Sequence, residues 1–252
     1  MDPQPEGSSP NGYGGHPSMV GLGAHYELEI TCGGKPDETS GYLVNIKVID
    51  GAARRGAIPV IARAFADSPG TEPATLMPEI ARRLAHELEH PLIRLAWKLT
   101  PTYAVEMDMS DTSSAIIRQR FDFAASHRLH TPLLSDEENR ALFGKCNSAS
   151  GHGHNYQVEP AVAVPLEKPA EREMFTLQTL ERLTDDLVVD HFDHKHLNLD
   201  TDEFGPEGLN PSVEHIARVC YERLKTAVAE HGGELRTVTV WETDRTCCTF
   251  PG

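Results

Sequence analysis

Long apolar runs are missing from this sequence of 252 residues. A membrane-spanning helix needs about 18 consecutive apolar residues, and no stretch of the chain provides them. The N-terminus also lacks the charged segment followed by an apolar segment that marks a secretory signal. These two absences predict a cytoplasmic protein without a membrane partner.

Cysteine is scarce, and the five in the chain are Cys32, Cys146, Cys220, Cys247 and Cys248. Their number is odd and their spacing follows no disulfide framework. Both features favour reduced thiols, which are typical of a cytoplasmic compartment.

Positive charge is also in short supply. The chain has 23 Lys and Arg residues against 38 Asp and Glu residues, which gives a formal net charge of −15. This balance argues against non-specific nucleic-acid binding and against binding to an anionic membrane surface. A glycine-rich dinucleotide motif is absent too, so nothing in the sequence predicts an external redox cofactor.

Hydrophobic residues make up 39% of the chain, enough for a packed core in one large domain or two small ones. Residues 1–18 are mostly Gly, Pro, Ser and Asn with few apolar side chains, so we predict a disordered tail there. In the first half, alternation predicts strands at 25–30, 92–97 and 103–109, and a helical stripe covers 79–88. Residues 42–49 form an apolar stretch of uncertain type, followed by a glycine-interrupted segment.

The second half has stronger signals. One long strand is predicted over 115–129 and further strands over 155–164, 235–242 and 246–250. Thr176 can cap one helix, and a second begins near 210–212 with Asn210 as its cap and Pro211 as its first residue. The first half repeats most of this order, with Trp97 matching Trp241. We therefore predict a complete domain at 115–252 and a degenerate copy at 19–110 that lacks the opening strand.

The stretch from 143 to 156 holds the strongest candidate site. His152 and His154 are two residues apart, so in a strand both imidazoles point to one face and can reach one metal ion. His127 can supply a third ligand, and Cys146 is either a fourth ligand or a thiolate beside the metal. The alternative is a pair of surface histidines beside a buried thiol, because such histidine pairs also occur by chance.

Several separated motifs within 115–252 resemble the 6-pyruvoyltetrahydropterin synthase family. In order, they are FDFAASHRL at 121–129, LSDEEN at 134–139, LFGKCN at 142–147, GHGHNY at 151–156, DHKHLN at 193–198 and WETD at 241–244. The resemblance implies the α+β tunnelling fold, in which an antiparallel four-stranded sheet carries two helices on one face. Such units associate into barrels, so a homo-oligomer is expected.

The resemblance also implies a chemistry and a set of site residues. The family substrate is 7,8-dihydroneopterin triphosphate, from which triphosphate is eliminated while two reducing equivalents move within the molecule. The implied cofactor is Zn²⁺. The residues that match the family's motifs are His127, His152 and His154 as zinc ligands, Cys146 as the proton-abstracting thiol, Asp193 and His194 as a relay pair, and Glu242 with Thr243 at the pterin-binding position.

Two other functions stay open from the sequence. The related carboxytetrahydropterin synthases of deazapurine biosynthesis use the same fold and zinc, but usually place three residues between the cysteine and the histidine pair. Here five residues, 147–151, stand there, which favours the pyruvoyl enzyme. A non-catalytic pterin-binding or scaffold protein is the third possibility, and the complete motif set argues against it. His215 stands where the family commonly has Asn, which leaves the nearby substrate contacts undetermined.

Overall fold

The computed structural model describes residues 27–167 and 174–252, so the tail predicted for residues 1–18 and the start of the strand predicted at 25–30 lie outside the described residues. Within those ranges the chain forms one sheet of nine strands, and only the pairing of β5 with β7 is parallel. The strands are β1 (Glu27–Cys32), β2 (Leu92–Thr100), β3 (Tyr103–Asp108), β4 (Ser114–Gln119), β5 (Phe121–His127), β6 (His152–Pro165), β7 (Lys195–His196), β8 (Glu234–Thr243) and β9 (Thr246–Phe250).

Helices lie in the connections from β1 to β2, β5 to β6, β6 to β7 and β7 to β8, which makes the architecture α+β, as predicted. They are α1 (Ile46–Ala52), α2 (Ile58–Asp67), α3 (Met77–Glu87), α4 (Asp136–Phe143), α5 (Leu177–Thr184), α6 (Asp190–Phe192), α7 (Leu197–Asp200) and α8 (Val213–Glu230). A π-helical turn joins α1 to α2 at Ala53–Ala57, and another joins α5 to α6 at Asp185–Val189. No described helix combines the length and the hydropathy that crossing a membrane requires.

The long strand predicted over 115–129 is present as β4 and β5, which are separated only at Arg120. Arg118 pairs with Ala161 and Phe121 pairs with Val158. The step between these two pairs is three positions on each strand, so the register with β6 does not change at Arg120. β4 has β6 on one side and β3 on the other. β6 pairs in turn with β8, and β8 pairs with β9. The sheet therefore runs from β1 through β6 to β8 and β9.

The two faces of the sheet differ in chemistry. One face buries apolar side chains such as Leu95, Val105 and Ile117 in a single core with the helices. The other face carries charges, and Glu106 lies 2.9 Å from Arg94 and 3.0 Å from Arg118. Alternation with a period of two produces this division, and it assigns the helices to one side, as the family fold requires.

The helix starts show where local signals held and where they failed. Thr176 caps α5 as predicted, and its side chain accepts a hydrogen bond from the Thr179 N–H. Asn210 does not cap α8, so that prediction was wrong. Ser212 is the cap and the helix begins at Val213. The Asn210 side chain instead accepts a hydrogen bond from the His130 N–H at 3.1 Å, and this long-range contact removes it from the helix end.

Residues 46–67, which the sequence left unassigned, are helical throughout. The glycine interruptions argued against a helix, because Gly lowers helix propensity. At Gly56 an added Cβ would meet the Arg83 and Leu84 backbone at 3.3 Å. This glycine therefore permits close packing on α3, and tertiary contact overrides its low propensity.

Candidate functional site

Two neighbouring strands position three histidines. His127 ends β5 and His152 begins β6, where the two residues pair directly, and His154 follows opposite Ala125. The His127 and His152 Nε2 atoms are 3.1 Å apart, and the ring centroids of His152 and His154 are 4.8 Å apart. The alternation predicted from the sequence therefore brings all three imidazoles together at one end of the β5–β6 ladder.

Glu242 joins this group from the neighbouring strand. It follows Trp241, which pairs with Gln157 of β6, and its Oε1 lies 3.2 Å from both His127 Nε2 and His154 Nε2. Possible ligand atoms of the four residues all lie within 4.8 Å of one another. The sequence assigned Glu242 to pterin binding, and its contact with the histidines was not predicted.

The environment keeps the imidazoles in the form that binds metals. His127 is fully buried, and its Nδ1 lies 2.7 Å from the Pro211 carbonyl oxygen. A carbonyl only accepts, so Nδ1 carries a proton, and Nε2 is the nitrogen that faces the other rings and Glu242. Burial lowers the pKa of His152 and of His154. Both rings are therefore neutral at neutral pH, as metal binding requires.

Glu242 supplies negative charge to the same group. The hydrogen bond with His127 is the main cause that lowers the pKa of Glu242, against the opposing effect of burial. His152 Nδ1 is buried without a hydrogen-bond partner among the described residues. Three imidazoles beside a carboxylate form a donor set that fits a divalent metal ion.

Cys146 is not a member of this group among the described residues. It sits in the short 3₁₀ turn Gly144–Asn147, and its carbonyl accepts a hydrogen bond from the Leu129 N–H at 2.9 Å. Burial raises the pKa of the Tyr156 hydroxyl, and the charges of Glu242 and Cys146 add to this effect.

Asn139 and Asn147 hold the segment that carries Cys146, and the sequence assigned no role to either. Asn139 is fully buried, and its amide contacts the backbone of Thr131, Leu134 and Ser135. Asn147 donates to the Leu129 carbonyl at 2.7 Å. A sequence signal was available for α4, because Ser135 and Glu138 have the spacing of a capping box.

Asp193 and His194 form a pair of their own. Asp193 Oδ2 lies 2.6 Å from His194 Nδ1, and Asp193 Oδ1 accepts a hydrogen bond from the Ala124 N–H at 2.7 Å. That backbone bond is the main cause that lowers the pKa of Asp193, followed by the bond to His194. His194 has a φ of 57° and its side chain is 84% exposed. No hydrogen bond joins it to Cys146 in the part of the chain described.

The groove beside these residues is open, with a volume of about 600 Å³, and both His154 and His194 line it. It therefore connects the relay pair with the edge of the histidine group. Thr243 lies exposed at the end of β8, where its hydroxyl accepts a hydrogen bond from the Arg245 N–H at 3.2 Å. His215 turns back onto the Asn210 carbonyl at 2.7 Å, so its ring is already hydrogen-bonded within the protein.

Comparison with known proteins gives a consistent result. The sequence model of the family described as 6-pyruvoyl tetrahydropterin synthase matches residues 116–252. Human 6-pyruvoyl tetrahydrobiopterin synthase is 36% identical over 138 residues, which cover 55% of this chain and 92% of that protein. A putative Caenorhabditis elegans 6-pyruvoyl tetrahydrobiopterin synthase is 36% identical over 138 residues, covering 54% and 95%. The solved structure of the C. elegans 6-pyruvoyl tetrahydropterin synthase is 33% identical, covers 54% of this chain and 94% of that chain, and gives a TM-score of 0.48.

Proposed function

The chain belongs to the 6-pyruvoyl tetrahydropterin synthase family, and we propose that it is a zinc-dependent lyase acting on 7,8-dihydroneopterin triphosphate. The reaction eliminates triphosphate and keeps the two reducing equivalents within the molecule. The observation that carries the proposal is the convergence of His127, His152 and His154 in one group beside Glu242. The matched family segment contains all four residues.

The proposed zinc ligands are the three histidines. Zinc takes imidazole nitrogens readily, and a catalytic zinc site keeps one position open for water or substrate. When bound, zinc lowers the pKa of a substrate hydroxyl that it contacts and makes the neighbouring C–H bond more acidic. The hydrogen bond from His127 to the Pro211 carbonyl supports this assignment, because it orients the ring and fixes the tautomer.

Cys146 is the proposed base that takes the proton from the substrate carbon. Its absence from the described group of possible ligands supports this role, since a thiol outside the ligand set remains available for proton transfer. Asp193 and His194 are the proposed relay, in which the carboxylate orients the imidazole.

Glu242 and Thr243 are proposed to bind the pterin. A carboxylate has lone pairs on both oxygens, so Glu242 can stay beside the histidines through Oε1 and accept N–H groups of the ring through Oε2. Its lowered pKa supports this role, because an ionised carboxylate is the stronger acceptor. Thr243 adds a hydroxyl at the exposed end of the same strand.

Residues 19–110 are proposed to be the degenerate copy, without a second zinc site. Between β1 and β2 the first half carries the helical segments α1–α2 and α3, and between β6 and β8 the second half carries α5–α6, α7 and α8. In both halves a π-helical turn interrupts the first of these segments. If Trp97 corresponds to Trp241, Lys98 stands where Glu242 stands, and Lys98 pairs with Glu27 and Glu29. A lysine offers donors only and cannot replace a carboxylate acceptor. In this copy the sequence offers His25 as the counterpart of one zinc ligand, and His25 lies outside the described residues.

The test is anaerobic incubation of zinc-loaded protein with 7,8-dihydroneopterin triphosphate, followed by identification of the products by mass. The expected result is release of triphosphate with formation of the pyruvoyl pterin. Formation of a carboxylated or side-chain-cleaved pterin would move the assignment to a different reaction of the same fold. An unchanged substrate with fully zinc-loaded protein would overturn the proposal.

A further inference from the structure

A second cavity, of about 370 Å³, lies in the first half of the chain and shares no lining residue with the groove beside His154. Its volume is within the range of small-molecule sites. The helix α2, the turn that follows it, the strands β2 and β3 and the start of α5 supply its walls. Most of those walls are apolar, and they include Ile61, Phe65, Leu76, Leu99 and Leu177.

Among the polar residues that interrupt this apolar lining, Tyr103 and Glu72 carry the groups that can recognise a ligand. Tyr103 is only 5% exposed, and its hydroxyl has no hydrogen-bond partner among the described residues. Leaving a buried hydroxyl unpaired is destabilising, so the arrangement needs a reason. Glu72 is the one ionisable carboxylate in the lining. Burial raises its pKa, while the Leu177 backbone N–H opposes that shift.

The charge around the cavity has one sign. Neither Lys, Arg nor His is among its lining residues. Besides burial, the charges of Glu72 and Glu181 raise the pKa of the Tyr103 hydroxyl, which puts both carboxylates near that ring. A largely apolar chamber that holds a carboxyl group and no lining cation favours a ligand that combines an aromatic body with a positive charge, because the cation stabilises the carboxylate.

We propose that this cavity binds a small aromatic cation, such as an amidine or a protonated amino-heterocycle. The N–H groups of the ligand would donate to the Glu72 carboxylate, and its ring would pack against Phe65 and Leu99. Tyr103 would offer its free hydroxyl to a polar atom of the same ligand. The proposal is independent of the zinc chemistry, because no residue is shared between the two sites.

Benzamidine is the probe, with benzoate as an anion of the same shape. The chain has two tryptophans, so Trp241→Phe leaves Trp97, which lines the cavity, as the only indole fluorophore. Benzamidine should change the Trp97 emission with a Kd in about the millimolar range, and benzoate should not. Glu72→Gln should weaken binding by about tenfold, whereas Glu89→Gln, on an exposed glutamate outside the cavity, should leave it unchanged.

Tyr103→Phe separates a binding role from a structural one. The substitution removes a hydroxyl that makes no hydrogen bond, so the melting temperature should hold or rise, while benzamidine binding weakens about fivefold. Tyr42→Phe, at an exposed tyrosine, is the matched control. The proposal is overturned if benzamidine does not bind, if Glu72→Gln binds it as tightly, or if benzoate binds equally well. A lower melting temperature with unchanged binding would assign Tyr103 a structural role and exclude it from the site.

Discussion

Replacing Asn139 with alanine should destabilise the segment that carries Cys146 and leave the histidine group intact. Asn139 Oδ1 accepts from the Thr131 N–H at 2.8 Å. Its Nδ2 donates to the carbonyls of Thr131, Leu134 and Ser135 at 2.9, 3.0 and 3.0 Å. These bonds tie the loop after β5 to the first turn of α4, and α4 leads directly into the turn of Cys146.

The magnitude follows from that hydrogen-bond set. The two N–H hydrogens are shared among three carbonyls, so the side chain makes at least three bonds, each contributing about 0.5–1.5 kcal/mol. Thr131 is half-exposed, so water can replace its lost partner. The summed contribution of the three bonds to the free energy of unfolding therefore lies near the lower end of this range. We expect a loss of about 2–3 kcal/mol, or about 5–10 °C in melting temperature for a chain of this size.

The assay is thermal unfolding at a fixed protein concentration, combined with elemental analysis and turnover. Asn139→Ala should lower the melting temperature and the turnover rate, while zinc content is retained because the histidines lie on β5 and β6. Gln178→Ala is the control, since it removes an exposed amide from α5. A decrease below about 2 °C would refute the hydrogen-bond argument, and loss of zinc would refute the separation of the two segments.

Four further predictions follow from the same structure. Cys146→Ala should keep its zinc by elemental analysis and lose nearly all elimination activity, and loss of zinc would make the cysteine a ligand. Zinc titration should give one ion per chain for the parent protein and none for His152→Ala. A stoichiometry near two ions per chain, with zinc binding retained in His152→Ala, would contradict the degenerate-copy prediction. Light scattering at micromolar concentration should show a homo-oligomer, because β1 and β9 leave open sheet edges, and a monomer would disprove it. Although burial raises the pKa of Glu203, the bond from His191 and the charge of Arg223 hold it below its usual value. The ionised Glu203 therefore contributes its full stabilisation above the usual pKa of a glutamate, and this contribution is lost as the pH falls through the lower pKa of the folded state. The free energy of unfolding of Glu203→Gln, measured with urea, should therefore depend less on pH in the acid range than that of the parent protein.

Local pattern was sufficient for the parts of the fold that depend on neighbouring residues. The period of two placed His152 and His154 on one face of β6, and Thr176 marked the start of α5 because a cap acts within three residues. The long strand opposite β6 was predictable for the same reason. His127 stands 25 residues before His152, and strand alternation alone made it only a possible third ligand. The family motifs singled it out.

Contacts between distant residues decided the rest. Glu242 meets the histidines because the register of β8 on β6 brings it there, and spacing along the chain does not encode that register. Asn210 lost the cap of α8 to Ser212 because its side chain is held by His130, 80 residues away. Residues 46–67 became helical because Gly56 allows their backbone to pack closely on α3. The sequence thus determined the local geometry of the site, while the tertiary structure decided which distant side chains complete it, because long-range packing outweighs the small differences in local propensity.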